Sequence, residues 1–253
     1  MAGHSKWANI KRRKGAQDAK RAKVFTRILK EIAIAVKEGG NPDPDSNPRL
    51  RLAIANAKGV NMPKDNINRA IKKASDKDSE NYEEVSYEGY GPAGIALFVE
   101  ATTDNINRTV SNGRAIFTKY GGSLGTNGSL EFIFDRKGVF TIPTTAVEGK
   151  DLEEFEMELI DGGAEEVEKE EEFITIYTSF EDFGNMQKKL EELDIEAESQ
   201  ELQRIPKSTS EVDLEEGRKV LHIIEKFEED DDVNSVYHNM EMTEALLEAL
   251  DEG

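Results

Sequence analysis

The 253-residue chain contains no cysteine. This absence excludes disulfide bonds, thiolate catalysis and zinc sites built from cysteine ligands, and it fits a reducing compartment. No apolar run approaches the roughly 18–20 residues that a membrane-spanning helix needs, and the basic N-terminus is not followed by the apolar core of a secretory signal. These absences predict a soluble, cytoplasmic protein that makes no contact with a membrane.

Histidine is almost as scarce, with only three residues, His4, His222 and His238. None of them lies at metal-ligand spacing with another histidine or with a pair of carboxylates, and the chain has no nucleophile elbow. The acidic runs at 165–172 and 228–232 lack the alternate-residue spacing of a calcium loop and are interpreted as solvated faces. The sequence therefore predicts no catalytic site, metal, cofactor or small-molecule substrate, and hence a protein that is not an enzyme.

Charge is abundant, and it is divided along the chain. The whole sequence has 33 Lys and Arg against 52 Asp and Glu, a net charge of −19. Residues 1–77 hold 19 of these cations and 7 of the acids, which leaves 14 and 45 for residues 78–253 and gives net charges of +12 and −31. A cluster of cations attracts a polyanion by releasing condensed counterions, whatever the net charge of the whole protein. We therefore expect DNA or ribosomal RNA as a partner of residues 1–77, while the oligomeric state stays open.

The hydrophobic spacing predicts an α+β multidomain protein that begins with a three-helix bundle over residues 1–77. In the first helix, apolar residues at three- and four-residue steps oppose a stripe of lysine and arginine that should be solvated. Residues 137–205 follow the order β-α-β-β-α-β, which is typical of a ferredoxin-like domain. This domain is expected to interrupt a second α+β domain made of residues 78–136 plus 206–253, in which Leu130–Phe134 would be a strand. Three consecutive domains are the alternative.

The candidate nucleic-acid contacts are the basic side chains of residues 1–77 together with the only tryptophan. Basic residues beside an aromatic ring suit a phosphate backbone with occasional stacking on a base, although a lone tryptophan such as Trp7 more often packs in a core. The set could also be a solvated face, and no helix presents an evident group of base-reading side chains, so sequence specificity is not predicted. The candidates are Lys6, Trp7, Lys11, Arg12, Arg13, Lys14, Lys20, Arg21, Lys23, Arg27, Lys30, Lys64, Arg69, Lys72 and Lys73.

A glycine-rich loop at 121–128 is a second candidate site, for a phosphate or for RNA. Glycines allow consecutive backbone N–H groups to form an anion-binding concavity. The loop is not a Walker loop, because no Gly-Lys-Ser/Thr follows it, and a long turn between strands is the alternative. Its candidate residues are Gly121, Gly122, Ser123, Gly125, Thr126, Asn127 and Gly128.

Four segments of the chain resemble signature segments of the YebC/PmpR family. They are MAGHSKWANIKRRKG at 1–15, MPKDNINRAIKKA at 62–74, YEGYGPAGIALFVEATTDNINRT at 87–109 and GGSLGTNGSLEFIFDRKG at 121–138. The resemblance implies a helical bundle followed by two α+β domains, with the ferredoxin-like one inserted into the other. It also implies a DNA-binding transcriptional regulator. Because mitochondrial relatives act as translational activators and bacterial members are connected to ribosomes stalled at proline-rich stretches, a ribosome-associated translation factor that binds ribosomal RNA is the alternative.

Overall fold

The structure is a computed structural model that describes residues 18–76 and 81–251. In chain order, the helices of these residues are α1 (Asp18–Gly39), α2 (Pro48–Gly59), α3 (Lys64–Ser75), α4 (Ile106–Lys119), α5 (Leu152–Asp161), α6 (Phe183–Glu192), α7 (Leu214–Glu229) and α8 (Glu244–Asp251). The strands are β1 (Glu83–Tyr90), β2 (Ala96–Thr103), β3 (Ser123–Leu124), β4 (Phe134–Pro143), β5 (Ala164–Lys169), β6 (Phe173–Ser179), β7 (Ser199–Pro206) and β8 (Val233–His238). The predicted class, a helical region followed by two α+β parts, is confirmed.

The chain divides into two compact units. The first comprises Met1–Ile34, Ala74–Asp135 and Pro206–Gly253, and the second comprises Ala35–Lys73 and Arg136–Ile205. Helix α1 therefore begins in the first unit and ends in the second. The three domain ranges predicted from the sequence remain a prediction.

The first unit is built on an antiparallel sheet with the strand order β3-β1-β2-β8. One face of β2, through Leu97 and Val99, packs with α4 and α7, where Phe117 and Phe227 meet edge to face at 4.9 Å between ring centroids. The opposite face carries Phe98, which packs with Leu130 and other apolar residues. Because β8 pairs with β2 although the whole of 136–205 lies between them in sequence, the predicted insertion is confirmed.

The second unit contains the inserted β-α-β-β-α-β element. Its sheet order, β5-β6-β4-β7, is that of a ferredoxin-like fold. Helix α2 belongs to the same unit and is joined to β7 by Asn56, whose amide donates to the Gln200 carbonyl and accepts from the Gln200 N–H, both at 2.9 Å. Gly59 permits this approach, because a Cβ atom at that position would lie 2.2 Å from the Glu198 carbonyl oxygen.

The predicted strand at Leu130–Phe134 is wrong. Residues 131–133 form a turn, and a single strand, β4, begins only at Phe134. Leu130 is fully buried, but its N–H donates to the Glu88 carboxylate rather than to a neighbouring strand. An apolar run next to a turn therefore lines the core without joining the sheet.

Within residues 18–76 and 81–251, no helix is both long enough and apolar enough to cross a membrane.

Candidate nucleic-acid interface

The predicted contact residues fall into three groups. Lys6, Trp7 and the basic residues at 11–14 lie outside the described residues. Lys20 and Arg21 belong to the first turn of α1. The remaining seven lie on α1 and α3, and their side chains have very different surroundings.

On α1, the predicted basic stripe contacts the acidic segment that joins α7 to β8. The Lys23 ammonium donates to the backbone carbonyls of Glu228 and Asp230, the latter at 2.6 Å. The Arg27 guanidinium donates to the Asn234 carbonyl at 3.2 Å. Burial lowers the pKa of Lys23, and the nearby Asp231, Asp230 and Glu228 carboxylates partly oppose that effect. A cation at this position satisfies carbonyls that have no partner within α7 and lies at the negative end of its dipole.

Lys30 is buried deepest in this stripe, with 9% of its surface exposed. Its ammonium donates to the carbonyls of Thr102 at 3.0 Å and Asp231 at 2.7 Å, and to Asp232 Oδ1 at 3.0 Å. These three acceptors use all three donors of a lysine. The expectation that this face of α1 is solvated is therefore wrong at Lys30, because the acidic segment covers it.

Asp232 is the centre of the same network. Its Oδ2 accepts from the Arg108 guanidinium at 2.6 Å, the Thr109 hydroxyl at 2.9 Å and the Thr103 hydroxyl at 3.0 Å. Burial acts to raise the pKa of Asp232, but the hydrogen bonds from Arg108, Lys30, Thr109 and Thr103 outweigh it and lower that pKa to about 2. The same bond to Asp232, with one to Asp104, raises the pKa of Arg108.

The interpretation of 228–232 as a solvated acidic face is accordingly wrong at Asp232, which is 6% exposed. A run of acidic residues suggests a solvated surface. Composition does not show that the last residue of this run, Asp232, is buried. The available signal was the threonine pair Thr102-Thr103 at the end of a strand that is apolar apart from Glu100, because buried hydroxyls require partners.

Helix α3 differs from α1, because its basic side chains are exposed. Lys64, Lys72, Arg69 and Lys73 are all exposed. Asn68 is exposed as well, and positions 64, 68 and 72 share one face of the helix because they are four residues apart. An amide between two lysines is a group that can pair with an adenine edge, and sequence analysis overlooked it.

The glycine-rich loop already holds a carboxylate of the chain itself. Glu88, only 2% exposed, accepts from the Gly128 N–H at 2.7 Å and from the Leu130 N–H at 2.5 Å. The Glu88 carbonyl also accepts from the Gly125 N–H at 2.7 Å. The C-terminal end of the loop is thus an anion-binding turn, and the anion it binds is the chain's own Glu88 carboxylate. Thr126 and Asn127 of the loop remain exposed.

Replacing Glu88 with alanine is expected to destabilise the first unit by about 2–3 kcal/mol. The change would leave the Gly128 and Leu130 N–H groups without their charged acceptor, and the Leu130 N–H is buried. Urea denaturation followed by circular dichroism measures the loss. The matched control is Glu131→Ala, an exposed acid in the same turn, which should change stability by no more than about 0.5 kcal/mol. Equal effects of the two changes would show that Glu88 does not hold the loop.

Among the described residues, no three or more His, Asp and Glu side chains come together in a way that could hold a metal ion. His222 is half exposed on α7, with its Nδ1 3.6 Å from Glu225, and His238 is buried on β8.

Comparison with known proteins then decides the family. A sequence model described as the TACO1/YebC protein N-terminal domain matches residues 5–77, and one described as the TACO1/YebC second and third domain matches residues 82–240. The chain belongs to the TACO1/YebC family. The resemblance noted in the four sequence segments is thereby confirmed.

Relatives of this YebC-family protein match over essentially their full length. A protein of Amoebophilus asiaticus is 55% identical over 242 residues, covering 95% of this chain and 98% of the relative. A protein of Chlorobaculum parvum is 47% identical and covers 100% of both chains. A protein of Bacillus licheniformis is 53% identical, covering 95% of this chain and 100% of the relative. Each of the three is named a probable transcriptional regulatory protein.

A solved structure shares the fold of this YebC-family protein. It is the crystal structure of the conserved hypothetical protein Aq1575 from Aquifex aeolicus, with 43% sequence identity and a TM-score of 0.80. The match covers 90% of this chain and 93% of that one.

Proposed function

We propose that this YebC-family protein is a DNA-binding regulator of transcription, not an enzyme, and that it acts in the cytoplasm. The observation that carries the proposal is the concentration of a net charge of +12 in residues 1–77 of a chain whose remainder carries −31. Such a division favours binding a polyanion through one part of the chain while the other part is repelled by it. The name shared by the relatives supports the same kind of activity.

The contacts are assigned in this proposal to the basic residues at 6–14 and to the exposed face of α3. Lys64 and Lys72 are exposed and, among the described residues, take part in no ion pair. Phosphate contacts position a protein on a duplex, whereas base contacts specify sequence. Asn68 lies between these lysines on the helix and is our candidate for the base contact.

Lys23, Arg27 and Lys30 receive a different role in this proposal. Each of them donates to the chain's own carbonyl or carboxylate groups. A nucleic acid would have to displace those acceptors, and for Lys30 it would have to open a buried network. We therefore propose that the three anchor α1, and that the phosphate contacts are made elsewhere.

The alternative is a ribosome-associated factor that binds ribosomal RNA, including ribosomes stalled at proline-rich sequences. RNA is commonly recognised by shape and backbone, which requires fewer base-reading side chains. The observation that favours this alternative is that α3 carries only one base-reading amide, Asn68, on its exposed lysine face.

Sedimentation and footprinting together separate the two functions. A lysate containing the tagged protein is layered on a sucrose gradient at low salt, and the fractions are probed for the protein with and without ribonuclease. The transcriptional proposal predicts migration free of ribosomes and a footprint on particular promoter DNA at nanomolar protein, with Asn68→Ala weakening that footprint more than it weakens binding to unrelated DNA. Ribonuclease-sensitive migration with ribosomes and no footprint would replace the proposal with the alternative.

A further inference from the structure

The first unit carries an open groove beside the end of α4. It has a volume of about 480 Å³ and is lined by Tyr120, Glu215, Arg218, Lys219 and His222. Tyr120 directly follows α4, whereas the other four lie on the outward face of α7. The volume falls in the range of sites for small organic groups, roughly 300–1,000 Å³.

Two rings form the aromatic part of this groove. The Tyr120 and His222 rings meet edge to face, 5.0 Å apart and inclined by 77°. Tyr120 is half-buried and packs against the core of the unit, so that its ring has a fixed position while one side reaches the groove. The Lys119 ammonium lies 5.2 Å from the centre of the Tyr120 ring, close enough for a cation–π contact.

The groove also holds a cation without a counter-ion. Arg218 is exposed and, within the described part of the chain, makes neither a hydrogen bond nor an ion pair. The carboxylates nearby are already engaged, since Lys219 lies 3.1 Å from Glu215 and 2.6 Å from Glu216. With Glu225 3.6 Å from His222, the acids Glu215, Glu216 and Glu225 equal the cations Lys119, Arg218 and Lys219 in number, so the groove is locally neutral in a part of the chain with a net charge of −31.

We propose that this groove binds one unpaired nucleotide of a single-stranded nucleic acid, with the base stacked on the face of the Tyr120 ring and bordered by His222, and with the phosphate held by Arg218. Fixed aromatic rings beside cations are the combination that single-strand binders use, because every base has a stacking face. The glycine-rich loop begins at Gly121, directly after Tyr120, so a strand leaving the groove can continue along that loop. The inference rests on the proposed function only in requiring that the protein bind nucleic acid, and it adds a site outside residues 1–77.

The test uses the full chain and a labelled oligouridine of about twelve nucleotides. Fluorescence anisotropy measures its binding to the wild type, to Tyr120→Leu, which keeps the apolar packing without the ring, and to Arg218→Glu. We expect each variant to bind at least about five-fold more weakly. The matched control is Arg114→Glu, an equal charge reversal at another exposed arginine of the unit that lies outside the groove, and it should stay within about two-fold of the wild type. Iodouridine in the same oligomer should photo-crosslink to Tyr120 or His222.

The possible outcomes separate this inference from the proposed function. A wild type that binds neither duplex nor single-stranded nucleic acid would overturn the proposed function and this inference with it. Normal wild-type binding that is unchanged in Arg218→Glu, with crosslinks confined to residues 1–77, would overturn the groove alone. If Tyr120→Leu does not fold, Arg218→Glu and the crosslinks decide the question, because Arg218 is exposed and its replacement does not disturb the core.

Discussion

Changing Lys11, Arg12, Arg13 and Lys14 together to glutamate is expected to abolish nucleic-acid binding. The four residues form an uninterrupted basic run in the most basic part of the chain, and the change replaces four positive charges with four negative ones. On duplex DNA each neutralised phosphate contributes about 0.9 to the slope of log K against log salt, so these four contacts account for about 3.6 of the wild-type slope, and any binding left in the variant should show a slope smaller by that amount. Electrophoretic mobility shifts or anisotropy at several salt concentrations give both the affinity and the slope.

The control for this prediction applies the same charge change to the acidic part of the chain. It changes four exposed cations to glutamate, namely Arg114, Lys150, Lys188 and Lys207. If binding depends on clustered charge at the N-terminus, the control should retain most of its affinity and the slope of the wild type. Equal losses in the two variants would mean that total charge, rather than the basic run, governs binding. Survival of both binding and slope in the first variant would mean that the run is only a solvated face.

Replacing Asp232 with alanine is expected to destabilise the protein by about 3–5 kcal/mol. The change leaves the Lys30 ammonium buried without its carboxylate, and it removes the acceptor shared by Thr103 and Thr109. Breaking a buried pair by removing one partner costs this much because the remaining charge cannot be resolvated. Thermal unfolding should show a decrease in melting temperature of roughly 6–20 °C, given the size of the chain. Glu229→Ala is the matched control, because its pair with Lys226 is at the surface, and it should cost less than about 1 kcal/mol.

The pH dependence of the same network gives an independent check. The folded-state pKa of Asp232 is about 2, below the ordinary 3.8, so its ionised form stabilises the folded protein above the ordinary value. This stabilisation is lost as the pH falls through about 4 towards 2, and it amounts to about 2–3 kcal/mol. The difference in unfolding free energy between wild type and Asp232→Asn should therefore be constant from neutral pH to about 5 and shrink below that. A constant difference down to pH about 2 would show that the network does not lower the pKa of Asp232.

Local structure was largely predictable from the sequence. The β-α-β-β-α-β order predicted for residues 137–205 is present in β4 to β7. Asn47, which is followed by Pro48, caps α2 with a side chain that accepts from the Leu50 N–H at 3.0 Å. Such features depend on neighbouring residues, whose preferences and spacing can be read directly. The error at Leu130–Phe134 arises from a residue distant in sequence. The Leu130 N–H donates to the Glu88 carboxylate, whereas in a strand it would donate to a carbonyl of the neighbouring strand.

The position of the candidate site along the chain was predictable from the sequence. Whether each of its side chains is exposed or buried was not. Helical periodicity placed the basic stripe of α1, which includes Lys30, on a polar face, and Lys64 of α3 was a predicted contact as well. Periodicity identifies a face but not what covers it, and only Lys64 is exposed. For the same reason the groove at Tyr120 and Arg218 was not predicted, because its residues come from elements about a hundred positions apart.

Composition, short-range spacing and long matching segments were sufficient for the division of charge, for most of the helices and strands in their order, and for the family. The tertiary structure alone decided which charges are available to a partner. Lys30 and Asp232 are 202 positions apart, and the chain brings them to 3.0 Å. A lysine is available to a phosphate only if the folded chain does not already hold one of its own acceptors against the ammonium group. The path of the chain decides this for each lysine.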